Sequence, residues 1–65
     1  MIRATFRLLG VLRHRDFPTD DVEAATLDFI DWWIDHDVPV TSAVLLYKVD
    51  ANQLKKEFAQ SVTLI

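Results

Sequence analysis

The stretch DDVEAATLDFIDWWIDHD, residues 20–37, decides the fold because its hydrophobic residues recur with helical spacing. At about 100° per residue, seven of its side chains cluster on one side of a helix, namely Val22, Ala25, Thr26, Phe29, Ile30, Trp33 and Ile34. Asp20, with a glutamate three residues later, forms a capping-box pattern and is the predicted N-cap. The Val38-Pro39 pair ends the helix, because a residue before proline avoids the helical region. We therefore predict an amphipathic helix over residues 21–35.

The segment before this helix alternates between hydrophobic and polar residues. Ile2, Ala4, Phe6 and Leu8 share one face of an extended chain, and the residues between them share the other. This period of two predicts a half-buried strand over residues 2–8. A helix is the competing interpretation, because Arg3, Arg7 and His14 also fall on one helical face. If the alternation continues through Gly10, two further arginines, Arg13 and Arg15, join Arg3 and Arg7 on one face of the strand.

Two arrangements are open for the segment after the helix. Residues 41–49 are rich in Val, Leu and Tyr, which predicts a second strand. Beyond it, Leu54 and Phe58 lie four residues apart, which suits a short helix followed by a closing strand over residues 61–65. The alternative is a hairpin that turns near Asn52, with residues 54–65 all in a strand.

Both arrangements give the same fold class. We predict a single α+β domain over residues 1–65, with one long amphipathic helix packed on a small, mainly antiparallel sheet of about three strands. A second short helix is the variant in which the C-terminal segment is helical. The large hydrophobic side chains Phe6, Phe29, Trp33 and Leu45 are the expected core.

Composition excludes several classes of function. The chain has no cysteine, so it has no disulfide, no thiolate metal site and no thiol nucleophile. Its longest apolar run, residues 43–47, is far below the roughly 20 residues that span a bilayer. The side chains of Asp35, His36 and Asp37 diverge on a helix and cannot converge on a metal. No catalytic set is apparent, so we expect a soluble, cytoplasmic, non-enzymatic protein without metal or cofactor.

Charge is strongly segregated along the chain. Residues 1–15 carry four arginines and no acid, whereas residues 16–37 carry eight acids and no lysine or arginine. On the helix, five aspartates fall within an arc of about 100°, namely Asp20, Asp21, Asp28, Asp31 and Asp35. Like charges three or four residues apart destabilise a helix by about 0.2–0.5 kcal/mol per pair. We interpret this unrelieved repulsion as the mark of a binding surface.

The spacing of these carboxylates resembles that of a nucleic-acid backbone. Asp28 and Asp35 lie seven residues apart, or about 10.5 Å along a helix axis. One DNA strand carries about three phosphates over that length, at roughly 3.4 Å each. The predicted partner is therefore a protein with a basic groove, and not nucleic acid itself. Asp20, Asp21, Asp28, Asp31 and Asp35 are the predicted binding residues, with Trp32 as a neighbouring aromatic anchor.

In size, acidic helix and lack of a catalytic set, the chain resembles the small phage-encoded anti-CRISPR proteins that act on type I effector complexes. The resemblance covers overall character and includes no shared motif. It implies a phage protein in the bacterial cytoplasm that binds an effector subunit and blocks its binding to DNA. Two features depart from an extreme DNA mimic, since the net charge is only −3 and the first strand is basic.

Two other functions remain as alternatives. A small regulatory or antitoxin-like phage protein would associate with itself through apolar surface, so both a monomer and a homodimer are open. A phosphate-binding module would use the N-terminal arginines Arg3, Arg7, Arg13 and Arg15, because arginine commonly contacts phosphate.

Overall fold

The computed structural model describes residues 1–37, 43–50, 52 and 55–63. Its elements, in chain order, are β1 (Ile2–Leu8), β2 (Val11–Phe17), α1 (Val22–His36), β3 (Val44–Val49) and β4 (Lys56–Val62). The strands form one antiparallel sheet in the order β2-β1-β3-β4. The α+β class is as predicted, but the prediction of about three strands is wrong because the described residues form four.

The strand that the prediction missed is β2, which forms a tight hairpin with β1. Leu8 pairs with Val11 across a two-residue turn, in which Leu9 and Gly10 have φ of 52° and 81°. Two consecutive positive φ values are typical of the hairpin turn whose twist matches that of the flanking strands. The chain therefore reverses at Gly10 instead of continuing in one strand.

This reversal corrects the predicted distribution of arginines. Arg3 pairs with Asp16, Ala4 with Arg15, and Phe6 with Arg13. Residues directly opposite each other in an antiparallel pair share a face of the sheet. Arg13 and Arg15 therefore lie on the face that carries Phe6, and not on the face of Arg3.

The hairpin turn gives a prediction for stability. Leucine is strained at positive φ, so Leu9→Asn creates the preferred Asn-Gly turn and is expected to raise the free energy of unfolding by about 0.5–1 kcal/mol. Gly10→Ala is expected to lower it by about 1 kcal/mol, through backbone strain alone, because an added Cβ meets nothing within 4 Å. Urea unfolding curves check both. Equal midpoints for the two variants would contradict the turn geometry.

The core lies between α1 and one face of the sheet. Its buried residues are Ile2, Ala4, Phe6, Phe17, Ala25, Phe29, Val44 and Leu46. Phe6 and Phe29 are confirmed as core, and Trp33 packs against it while partly buried. The prediction for Leu45 is wrong, because Leu46 is the β3 residue that faces the helix, and Leu45 pairs with Thr5 on the other face.

The helix starts and ends close to the predicted positions. Its N-cap is Asp21 and not Asp20, because the Asp21 carboxylate accepts hydrogen bonds from the backbone N–H groups of Glu23 and Ala24. Its C-cap is Asp37, in the left-handed conformation. The Val38-Pro39 pair that was expected to end the helix lies outside the described residues.

The C-terminal segment follows the hairpin alternative. β4 pairs with β3 along its length, with an irregularity in register between Leu46 and Tyr47. The other alternative, a short helix around Phe58, is therefore wrong, because Phe58 lies in the strand and pairs with Tyr47. Residues 53 and 54 lie outside the described residues. Of the helices in the described ranges, none is long and apolar enough to cross a membrane.

One face of the sheet has no described element packed on it. We call it the open sheet face, and its side chains, assigned from the strand register, are Arg3, Thr5, Arg7, Leu12, His14, Asp16, Leu45, Tyr47, Val49, Lys56, Phe58 and Ser61. Val49, near the end of β3, is 6% exposed, and the other residues of the face are partly or fully exposed. The face lies opposite α1, because the helix packs on the residues that alternate with these. The described residues therefore form two layers, helix and sheet, with α1 on one side and the open sheet face on the other.

Candidate functional site

Three of the predicted site residues form one surface on α1. Asp28, Asp31 and Asp35 are all exposed, and their spacing of three and four residues makes them neighbours on one side of the helix. We call these three carboxylates the acidic helix surface. They lie away from the buried Ala25 and Phe29, which fix the orientation of the helix on the sheet.

The acidic helix surface is not neutralised by the arginines of the first hairpin. Arg3 donates from Nε and Nη2 to the two carboxylate oxygens of Asp16, at 2.8 and 3.1 Å. Arg7 donates to the carbonyl of Gly10 at 3.2 Å. Within the described ranges, no salt bridge or hydrogen bond from a cation reaches Asp28, Asp31 or Asp35. Among the residues that the structure describes, no ion pair therefore relieves their mutual repulsion.

The other two predicted aspartates have partners inside the fold. Asp20 forms an ion pair with the amino terminus of Met1. Asp21 caps α1, as described above. Asp20 and Asp21 therefore make contacts at the start of the helix, and they do not belong to the acidic helix surface.

Two ion pairs predict how stability depends on pH. The hydrogen bond from Arg3 lowers the pKa of Asp16, and the hydrogen bond from the Met1 ammonium lowers the pKa of Asp20. A carboxyl whose pKa is lower in the folded state stabilises the fold at any pH above its unfolded-state pKa, which is about 3.9 for aspartate. This stabilisation is lost as the pH falls through the folded-state pKa. We therefore expect the free energy of unfolding to fall on acidification below about pH 4.

Asp16→Asn tests this pH dependence. Partly exposed ion pairs contribute about 0.2–1 kcal/mol, so the variant is expected to lose that amount at neutral pH and to show a smaller loss on acidification. Urea titrations at neutral and acidic pH measure both quantities. An acid loss of unchanged size in the variant would show that the Arg3–Asp16 pair contributes nothing to it.

Trp32 lies beside the acidic helix surface but is partly buried. Its ring centroid is 5.8 Å from that of Phe6 and 5.5 Å from that of Phe29. The Arg15 guanidinium lies 4.8 Å from the Trp32 ring centroid, within the range of a cation–π interaction. Trp32 thus links the helix to the sheet, and Arg15 of β2 contacts its ring.

Sequence reasoning missed two aliphatic residues on the outer side of α1. Leu27 is 58% exposed and Ile34 is 63% exposed. Ile34 was expected on the buried side, but the packing of Trp32 on Phe6 turns the helix so that Ile34 faces away from the core. Leu27 precedes Asp31 by four residues and Ile34 follows it by three, so an aliphatic strip runs alongside the carboxylates. The sequence contained a signal for this strip, because Leu27 lies outside the predicted apolar side of the helix and was therefore predictable as an exposed leucine.

Comparison with known proteins gives no relatives: no protein-family model, no curated protein and no solved structure matches this chain.

Proposed function

We propose that this chain is a non-enzymatic inhibitor that presents the acidic helix surface to a protein groove that otherwise holds nucleic acid. The observation that carries the proposal is that Asp28, Asp31 and Asp35 are exposed together, with no cation paired to them among the described residues. A surface that repels itself is stabilised when an external positive charge approaches it.

The geometry supports a nucleic-acid groove as the complementary site. The three carboxylates extend over seven residues, or about 10.5 Å, and present roughly the charge density of one DNA strand. They are held on a regular helix whose buried side is fixed by aromatic contacts, such as the 5.1 Å centroid distance between Phe6 and Phe29. Little conformational freedom is therefore lost on binding, which favours affinity.

The proposed target is the DNA-binding groove of a type I CRISPR effector complex in the cytoplasm of a bacterium infected by phage. This target rests on the resemblance in size, acidic helix and lack of a catalytic set. The N-terminal arginines support phosphate binding less well. Arg3 is held by Asp16, and Arg13 and Arg15 lie on the opposite face of the sheet from Arg3 and Arg7.

A competition assay tests the proposal. Purified type I effector complexes of several subtypes are incubated with labelled target DNA and increasing amounts of this protein. We expect at least one complex to lose DNA binding at a fixed molar ratio of protein to complex, and to regain it as DNA is increased. If DNA binding by every complex is unaffected, the proposed target is wrong. If inhibition is insensitive to the amount of DNA, mimicry is wrong.

A further inference from the structure

We infer that copies of this chain bind each other head to tail, with the outer side of α1 in one molecule packed on the open sheet face of the next. The inference is independent of the proposed target. It rests on two surfaces of the same chain that match each other in charge, apolar content and size. Neither surface is covered by a described element, and they lie on opposite sides of the molecule.

The helix side of the contact combines aliphatic and acidic groups. Leu27 and Ile34 are 58% and 63% exposed, and Asp31 lies between them along the helix. Asp28 and Asp35 lie along one edge of this strip. Such a surface fits a partner that offers apolar side chains at its centre and positive charge around them.

The open sheet face has that composition. Leu12 is 60% exposed and Phe58 is 56% exposed, and Phe58 packs edge-on against Tyr47 at a centroid distance of 5.7 Å. The Lys56 ammonium lies 4.7 Å from the Tyr47 ring centroid. The described residues of this face include three with a positive formal charge, Arg3, Arg7 and Lys56. They include one with a negative charge, Asp16, so the formal charge of the face is positive.

The dimensions of the two surfaces also agree. α1 has 15 residues, or about 22 Å of helix, with a diameter of roughly 10 Å. β1 has seven residues, or about 23 Å of strand, and the three gaps between four strands give a width of roughly 14 Å. One helix therefore covers the open sheet face along its length, as a helix covers the second face of a sheet in layered domains.

The charges of the two surfaces favour the helix-on-sheet contact over a symmetric contact between two sheet faces or two helix sides. Two open sheet faces would bring positive surfaces together, and two helix sides would bring six carboxylates together. The helix-on-sheet contact is the one in which opposite charges meet. Because one helix covers a small area, the contact belongs with weak, transient interfaces below about 1,200 Å². A head-to-tail contact need not close into a ring, so the products are short linear oligomers.

Two single-surface variants test the inference. The helix variant carries Leu27→Lys and Ile34→Lys, and the sheet variant carries Leu12→Glu and Phe58→Glu. All four positions are more than half exposed, so both variants are expected to fold, and circular dichroism with a urea midpoint checks this. If Phe58→Glu unfolds the chain through loss of the Tyr47 contact, Leu12→Glu with Lys56→Glu replaces it as the sheet variant. Sedimentation velocity from micromolar to near-millimolar concentration gives the mass.

We expect the wild-type protein to grow in mass with concentration and to dissociate as salt is raised. Each variant alone is expected to associate at least tenfold more weakly. Mixing the two variants restores one intact helix side and one intact sheet face, so the mixture forms a dimer of twice the 7.5 kDa chain and nothing larger.

Three results would overturn the inference. The first is a wild-type protein that stays monomeric at every concentration and salt. The second is a helix variant that still dimerises alone, since that places the contact between two sheet faces. The third is a mixture that remains monomeric although the wild-type protein associates, because complementary variants must pair if the contact joins unlike surfaces.

Discussion

Phe29→Ala is expected to lower the free energy of unfolding by about 3–5 kcal/mol, the usual loss for a buried phenylalanine. Phe29 is 2% exposed, and its ring contacts those of Phe6 and Trp32. The whole chain of 65 residues is expected to be stable by only about 3–10 kcal/mol. The variant is therefore expected to be partly or fully unfolded in buffer. Tryptophan fluorescence during urea titration measures the change, because Trp32 packs on the altered site.

Phe58→Ala is the matched control for this variant. It removes the same side chain from β4, where Phe58 is 56% exposed and packs on the Tyr47 ring. We expect a loss of less than about 1 kcal/mol, because little apolar area returns to water. Equal losses for the two phenylalanine variants would contradict the assignment of the core to the helix side of the sheet.

The acidic helix surface gives the second large effect. The triple variant Asp28→Asn, Asp31→Asn and Asp35→Asn is expected to bind its target more weakly by up to about a hundredfold. Surface ion pairs contribute up to about 1 kcal/mol each, so three lost pairs cost at most about 3 kcal/mol, or roughly two powers of ten. The fold is expected to be equally or slightly more stable, because repulsion along the helix is removed. Titration of DNA binding by the sensitive effector complex measures the loss.

A second triple variant separates position from charge. Glu23→Gln, Asp37→Asn and Glu57→Gln change the net charge by the same amount, at exposed residues outside the acidic helix surface. We expect this variant to inhibit as well as the wild-type protein. If both triple variants weaken inhibition equally, net charge and not the helix surface accounts for binding.

Two elements of the fold followed from hydrophobic spacing. The alternation from Ile2 predicted β1, and the 3.6-residue period predicted α1, because each of these elements buries one side against the core. β2 gave no such signal. It is an edge strand that is exposed except at Phe17, so nothing in its packing requires its residues to alternate. The Leu9-Gly10 turn was hidden because leucine rarely occupies a positive φ.

The candidate site was partly predictable for the same reason. Exposure of the carboxylates followed from the helical period, since they fall opposite the largest hydrophobic residues. The exposure of Ile34 did not, because it depends on the long-range contact of Trp32 with Phe6. The composition of the open sheet face was also not predictable from the sequence, because it depends on strand order and on the reversal at Gly10.

The salt dependence of binding tests the central claim most directly. The affinity of the sensitive effector complex for the wild-type protein and for the Asp28, Asp31 and Asp35 triple variant is measured from low to high salt. If the acidic helix surface occupies a basic groove, wild-type affinity falls steeply with salt and approaches that of the variant, because screening removes the same charge contacts. Parallel curves, with wild-type and variant affinities equally sensitive to salt, would contradict it.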